Sequence, residues 1–168
     1  MVKKTLDKPS RSAPKEASSV SITKQMIDEI NGLNNLEDYG IRTLVGHAEA
    51  FGPFLRNRRL ETNQIRKFLD AINRLKAQLA GDPRALEEEA LSEEEKTRRD
   101  AELFAKIESD IILLKPKLAY AAARQDAAEP LSDVMSAAIN KTYTLKDFER
   151  LVQMIESVIA YHKAAGGR

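Results

Sequence analysis

The sequence of 168 residues contains no cysteine, and it is poor in aromatic residues and in long apolar runs. Without cysteine the chain has no disulfide, no thiolate nucleophile and no cysteine-ligated zinc, which fits a reducing cytoplasm. The longest apolar runs, IILL at 111–114 and LAYAAA at 118–123, are far too short to cross a bilayer. No apolar stretch follows the N-terminal lysines, so we expect no secretory signal. We therefore expect a cytoplasmic protein without a membrane partner.

The sequence also has no large excess of charge of either sign, because it contains 27 basic and 26 acidic residues. A nucleic-acid site would therefore have to come from an uneven distribution of charge along the chain. Aromatic residues make up only 5% of the sequence. That fraction is too small to predict a platform on which successive bases would stack.

The residue patterns of the common catalytic and metal sites are absent from the sequence. His47 and His162 fall in different predicted helices and have no HExxH or HxH context. No serine lies in a Gly-x-Ser-x-Gly turn, and the seven glycines form no phosphate-binding loop. The glutamate runs have no apolar surroundings that would raise a carboxyl pKa for acid catalysis. We therefore predict no enzymatic activity, no cofactor and no metal.

The spacing of apolar residues predicts an all-α fold, because sustained alternation with a period of two is absent. Residues 1–20, rich in Lys, Ser and Pro, are predicted to be a disordered basic tail, and 21–168 a single helical-bundle domain. An acidic insert is expected around 82–100, and its glutamate-rich residues 84–96 are predicted to be an exposed linker or a solvated helix end. We expect a compact bundle of about five helices, drawn from helical patterns at 22–30, 36–51, 62–80, 97–124, 131–139 and 145–165.

Several residues mark the expected helix ends. Thr62 is predicted to be an N-cap, and Gly81 to end the same helix. Thr144 and Asp147 have the spacing of a capping box. The Gly52-Pro53 pair is predicted to separate two helices. Pro116 lies inside the long helix predicted over 97–124 and is expected to kink it near 112–116, because the apolar stripe continues in phase on both sides.

Basic residues are concentrated in two parts of the chain. Residues 56–76 hold seven basic side chains against two acidic ones, and another basic group surrounds the expected kink. Small residues (AYAAA) separate the last two cations of the second group and would let a polymer backbone approach, which suits phosphate contact without base readout. The alternative is that these side chains only solvate their helices. The candidate RNA-binding residues are Arg58, Arg59, Arg66, Lys67, Arg74, Lys115, Lys117 and Arg124.

Three segments resemble the small subunit of type III-A CRISPR interference (Csm) complexes. They are TNQIRKFLDAINRLK (62–76), LLKPKLAYAAAR (113–124) and DFERLVQMIESVIAYHKAAGG (147–167), in this order along the chain. The resemblance covers roughly 36–80 and 103–167. It implies a non-catalytic, all-helical subunit of an antiviral ribonucleoprotein. Such a subunit assembles in several copies beside the backbone and large subunits, which carry the nucleolytic activities.

The resemblance also implies a mode of RNA contact. Small subunits of this family line the channel in which guide RNA and target RNA pair, and they touch the sugar–phosphate backbone. By position, Arg66 and Lys67 match the basic pair of the family's IRKF element, and Lys115, Lys117 and Arg124 match its LKPKLAYAAAR element. One alternative of another class stays open, which is a helical protein–protein adaptor whose basic face docks on an acidic partner.

Overall fold

The computed structural model describes residues 15–83 and 91–167, with only the backbone described for 15–21. Within these ranges the chain is helical and has no strand, which confirms the all-α prediction. The described residues form seven α-helices, where the sequence predicts a bundle of about five. They are α1 (Lys15–Gly32), α2 (Ile41–Asn57), α3 (Thr62–Ala80), α4 (Glu93–Ile112), α5 (Leu114–Arg124), α6 (Glu129–Ile139) and α7 (Leu145–Ala164).

The centre of the fold is the pairing of α2 with α7. Helix α7 also packs against α3, and α6 packs against α5 and α1. One face of α2 is fully buried, including Leu44, Phe51 and Leu55, because its apolar residues recur at helical spacing. No helix in the described ranges has both the length and the hydropathy that a membrane crossing requires.

Two expectations for the first third of the chain differ from the structure. Helix α1 begins at Lys15, so residues 15–20 of the segment expected to be disordered are helical, and residues 1–14 lie outside the described residues. The helix expected at 36–51 is a 3₁₀ turn (Leu36–Asp38) followed by α2. Helix α2 continues through Gly52 and Pro53 to Asn57, so the prediction that this pair separates two helices was wrong. Gly52 lies against the backbone of α7, and this close packing accounts for the glycine.

Helix α3 covers the residues that the sequence assigns to it, but its ends are built differently. Its N-cap is Glu61, and Thr62 is already the first helical residue. The Thr62 side chain is buried and its Oγ1 lies 3.5 Å from Nδ1 of His162 in α7. Gly81 follows the last helical residue, as predicted, but its φ of −80° is a helical value that does not require glycine.

The single kinked helix predicted over 97–124 is two helices in the structure. Helix α4 ends at Ile112, Leu113 is the junction, and Pro116 lies in the first turn of α5. The first amides of a helix have no intrahelical partner, so proline is tolerated there. Pro116 has no amide hydrogen to donate to the carbonyl oxygen of Ile112. Because Ile112 is the last residue of α4, no hydrogen bond within α4 is lost. The prediction of one continuous helix was therefore wrong.

The acidic insert is only partly described, because residues 84–90 lie outside the described ranges. Ser92 caps α4 in a capping box with Glu95, and Glu93 and Glu94 occupy the first turn, where negative charge stabilises a helix. The signal Ser-x-x-Glu was available in the sequence and was missed. Before the gap, the carboxylate of Asp82 is buried and pairs with the ammonium of Lys106, which ties the end of α3 to α4.

The start of α7 confirms Thr144 as the N-cap but only this half of the predicted capping box, because the Asp147 carboxylate does not bond the Thr144 amide. The Thr144 side chain accepts a hydrogen bond from the Asp147 amide at 3.1 Å. The buried Asp147 carboxylate in turn accepts from the Tyr143 amide, from the Thr144 hydroxyl and, at 2.8 Å, from the amide of Glu37. Asp147 thereby joins the 3₁₀ turn before α2 to the first turn of α7. This contact helps to fix the α2–α7 pairing.

Candidate nucleic-acid interface

A groove of ≈660 Å³ lies between α3 and α5, and we call it the α3–α5 groove. Buried apolar side chains of both helices, Phe68, Leu114 and Leu118, form its floor. Exposed polar and charged side chains border it. The described lining residues are Glu61, Gln64, Lys67, Phe68, Ala71, Leu114, Lys117, Leu118, Tyr120, Ala121, Arg124 and Gln125.

Three of the predicted site residues border this groove together. Lys67 comes from α3, and Lys117 and Arg124 come from α5, where their separation of seven residues places them on one flank. All three side chains are exposed. Among the described lining residues, Glu61 carries the one carboxylate, so cations outnumber anions. The groove therefore has an excess of positive charge at its border and an apolar floor.

Arg58 connects one end of α3 to one end of α5, the two helices that form the walls of the groove. Arg58, just before α3, donates from Nη2 to the carbonyl oxygen of Asp126, just after α5, at 3.3 Å. Its guanidinium carbon also lies 5.8 Å from the centre of the Phe54 ring. The amino end of α3 thus lies beside the carboxyl end of α5. Arg58 is exposed, and its role in this contact is structural.

The remaining predicted site residues lie elsewhere. Lys115 donates to Oδ1 of Asn140 at 2.7 Å, so it connects α5 to the end of α6 instead of facing the groove. Arg66 and Arg74 are exposed on α3 but are not part of the groove lining. Arg59 is exposed in the turn between α2 and α3 and has a φ of 66°. The sequence therefore predicted that these side chains lie at the surface, but it did not predict which of them line the groove.

Tyr120 is a groove residue that sequence reasoning missed. Its side chain lines the groove and the residue is 64% exposed. Arg124 donates from Nη1 to the Tyr120 hydroxyl at 3.3 Å, and its guanidinium carbon lies 5.6 Å from the ring centre. The four-residue spacing of Tyr120 and Arg124 within a predicted helix was the available signal.

The two histidines have structural partners. His162 is completely buried, and its Nε2 lies 2.8 Å from the carbonyl oxygen of Leu60. Burial lowers the pKa of His162, and Arg56 acts in the same direction, while the hydrogen bond to Leu60 opposes them. His47 Nδ1 lies 2.6 Å from the hydroxyl of Tyr39. No group of three or more His, Cys, Asp or Glu side chains within 15–83 and 91–167 could hold a metal ion.

The fold and the groove define a small helical protein with a basic surface, and comparison with known families makes this more specific. The Csm2 Type III-A family matches residues 38–168, which include α2 to α7 and all eight candidate cations. The chain belongs to this family, as the sequence resemblance predicted, and is a small subunit of the type III-A CRISPR Csm effector complex. No curated protein and no solved structure matches the chain.

Proposed function

We propose that this subunit is a non-catalytic RNA-binding element of the effector complex and contacts RNA phosphates through the α3–α5 groove. The observation that carries this proposal is that Lys67, Lys117 and Arg124, from two helices, border one groove. Arginine binds phosphate through its planar fork and lysine through a compact charge, so both residue types suit backbone contact. Membership of the Csm2 Type III-A family supports RNA as the ligand, because the resemblance to Csm small subunits implies contact with guide RNA and target RNA.

The chemistry of the groove favours binding over catalysis. General acid–base cleavage requires proton donors and acceptors held close to the reacting group. Among the described lining residues Glu61 is the one carboxylate and no histidine is present, so the groove offers no acid–base pair. The subunit would line the guide–target channel in the cytoplasm, beside the backbone and large subunits and further copies of itself. Its contribution to defence would be to hold RNA in place.

The test is the triple variant Lys67→Ala, Lys117→Ala, Arg124→Ala, assayed with single-stranded RNA of one fixed length. We expect an affinity loss of at least about tenfold. The slope of log affinity against log salt should shrink by about 2, since each lost contact to single-stranded RNA contributes roughly 0.7. Circular dichroism and thermal unfolding should match those of the original chain, because the three side chains are exposed.

A matched control removes three other exposed cations, Arg42, Lys146 and Lys163, which do not line the groove. Both variants have the same net charge, so a general electrostatic effect would weaken them equally. An equal loss in the two variants, or no loss in either, would contradict the proposal. Unchanged RNA binding together with a lost protein partner would favour the adaptor alternative.

A further inference from the structure

We propose that Tyr120 is a stacking platform for one unpaired RNA base, which makes the ligand of the α3–α5 groove an RNA with an unstacked nucleotide. This inference rests on the proposed function, because it needs RNA phosphates at the cations of the same groove. It adds a residue and a ligand class to that function. Contacts to phosphates alone carry no direct information about the identity of the neighbouring bases.

The first argument is the position of the ring. Single exposed aromatic side chains are common on protein surfaces and need no explanation alone. Tyr120, however, is 64% exposed inside a groove with an apolar floor. The ≈660 Å³ of the groove falls within the range of small-ligand sites, roughly 300–1,000 Å³. A planar, partly apolar group would therefore find both space and an aromatic surface there.

The second argument is that the ring has a partner within its own helix. Arg124 covers one face of the ring at 5.6 Å and donates to its hydroxyl at 3.3 Å. The high exposure of Tyr120 shows that the rest of the ring surface is open. A ring whose rotation is restricted by a neighbouring side chain loses less conformational entropy when a base stacks on it. Arg124 would thus both orient the platform and offer its remaining donors to a phosphate.

The third argument is the placement of charge around the ring. Lys117 precedes Tyr120 by three residues and Arg124 follows it by four, so both lie on its side of α5. Lys67 borders the groove from the opposite wall. Cations that follow a backbone on either side of an exposed aromatic ring form the usual arrangement of single-strand binding proteins. In a fully paired duplex every base is stacked between its neighbours and no face is available to Tyr120.

The experiment compares Tyr120→Ala with Tyr120→Phe and Tyr143→Ala in the full chain. Tyr143 is a matched control because it is also an exposed tyrosine, at 56%, but it does not line the groove. The probes are a single-stranded RNA that carries 2-aminopurine, whose fluorescence reports stacking, and a duplex formed from the same strand. Affinity is measured over a series of salt concentrations.

We expect Tyr120→Ala to weaken single-strand binding about tenfold, within the range of one base–aromatic stack. The salt slope should stay unchanged because no phosphate contact is lost, and duplex binding should not fall. Tyr120→Phe should retain most of the affinity and the 2-aminopurine signal, and Tyr143→Ala should behave as the original chain.

Two results would overturn the inference. In the first, Tyr120→Ala keeps the original affinity while the triple cation variant loses binding. The groove would then bind phosphates, but Tyr120 would not stack on a base. A reduced salt slope in Tyr120→Ala would mean that the ring acts only by positioning Arg124. Original affinity in the triple cation variant would instead refute the proposed function itself, so the two failures are distinguishable.

Discussion

Gly52 in α2 lies directly against the backbone of His162 in α7. A β-carbon on Gly52 would come within 2.5 Å of the His162 amide nitrogen and 2.7 Å of the Tyr161 carbonyl carbon. Both of these atoms belong to the backbone, so a side-chain movement could not make room. The glycine therefore sets how closely the two central helices of the fold approach each other.

This contact predicts that Gly52→Ala destabilises the protein by about 1–3 kcal/mol, the usual cost of overpacking. Gly46 in the same helix is the control, because a β-carbon there would meet nothing within 4 Å. Gly46→Ala should raise stability by up to about 1 kcal/mol, since alanine is the better helix former. The measurement is chemical denaturation of both variants. Equal stability of the two variants would show that α2 and α7 can separate at no cost.

The buried His162 predicts a pH dependence of stability. Burial lowers its pKa in the folded protein, so below about pH 6.5 the unfolded chain binds a proton more readily than the folded one. The free energy of unfolding should therefore fall as the pH drops below about 6.5, until the folded-state pKa is reached. His162→Gln should flatten this part of the profile, measured by denaturation at a series of pH values. The same slope in the variant would assign the effect to other groups.

The turn after α2 places Arg59 in the left-handed region, with a φ of 66°. Its amide bonds to the Arg56 carbonyl at 2.9 Å, and the Leu60 amide bonds to the Leu55 carbonyl at 3.1 Å. This is the Schellman arrangement, in which glycine is the usual residue.

Arg59→Gly should therefore stabilise the protein by about 1 kcal/mol, because glycine adopts this backbone conformation without a steric cost. Arg59→Ala removes the same charge and keeps the strain, so its melting temperature should stay below that of Arg59→Gly. If Arg59 contacts phosphate, both variants should lose RNA affinity to the same extent. A glycine variant no more stable than the alanine variant would show that the conformation is not strained.

Neighbouring cations on α3 should differ in their effect on RNA binding. Lys67 lines the α3–α5 groove and Arg66 does not, although both are exposed. Lys67→Ala should lower the affinity and reduce the salt slope by roughly 0.7, whereas Arg66→Ala should change the slope little. Both variants should stay within about 0.5 kcal/mol of the original stability. The reverse ranking would place the RNA path on the outer side of α3.

The fold class and the exposed positions of seven of the eight candidate cations were predictable because helical periodicity is a local property of the chain. Lys117 and Arg124 share a flank of α5 for that reason. The course of α2 through Gly52 was not predictable, since its cause is α7, more than a hundred residues further along. The groove itself depends on how α3 meets α5, and no local pattern encodes that meeting. For the same reason the sequence could not separate Lys67, which faces the groove, from Lys115, which binds Asn140.

The exposure of Lys67, Lys117 and Arg124 has a consequence for how defects at this groove would look in a cell. Chaperones and proteases remove chains according to how often they unfold, so abundance follows stability. None of these three side chains contributes to the buried core. A chain that has lost them would escape quality control and accumulate to its normal level. Inheritance of such a change would leave the host with a full supply of an inert subunit instead of a missing one.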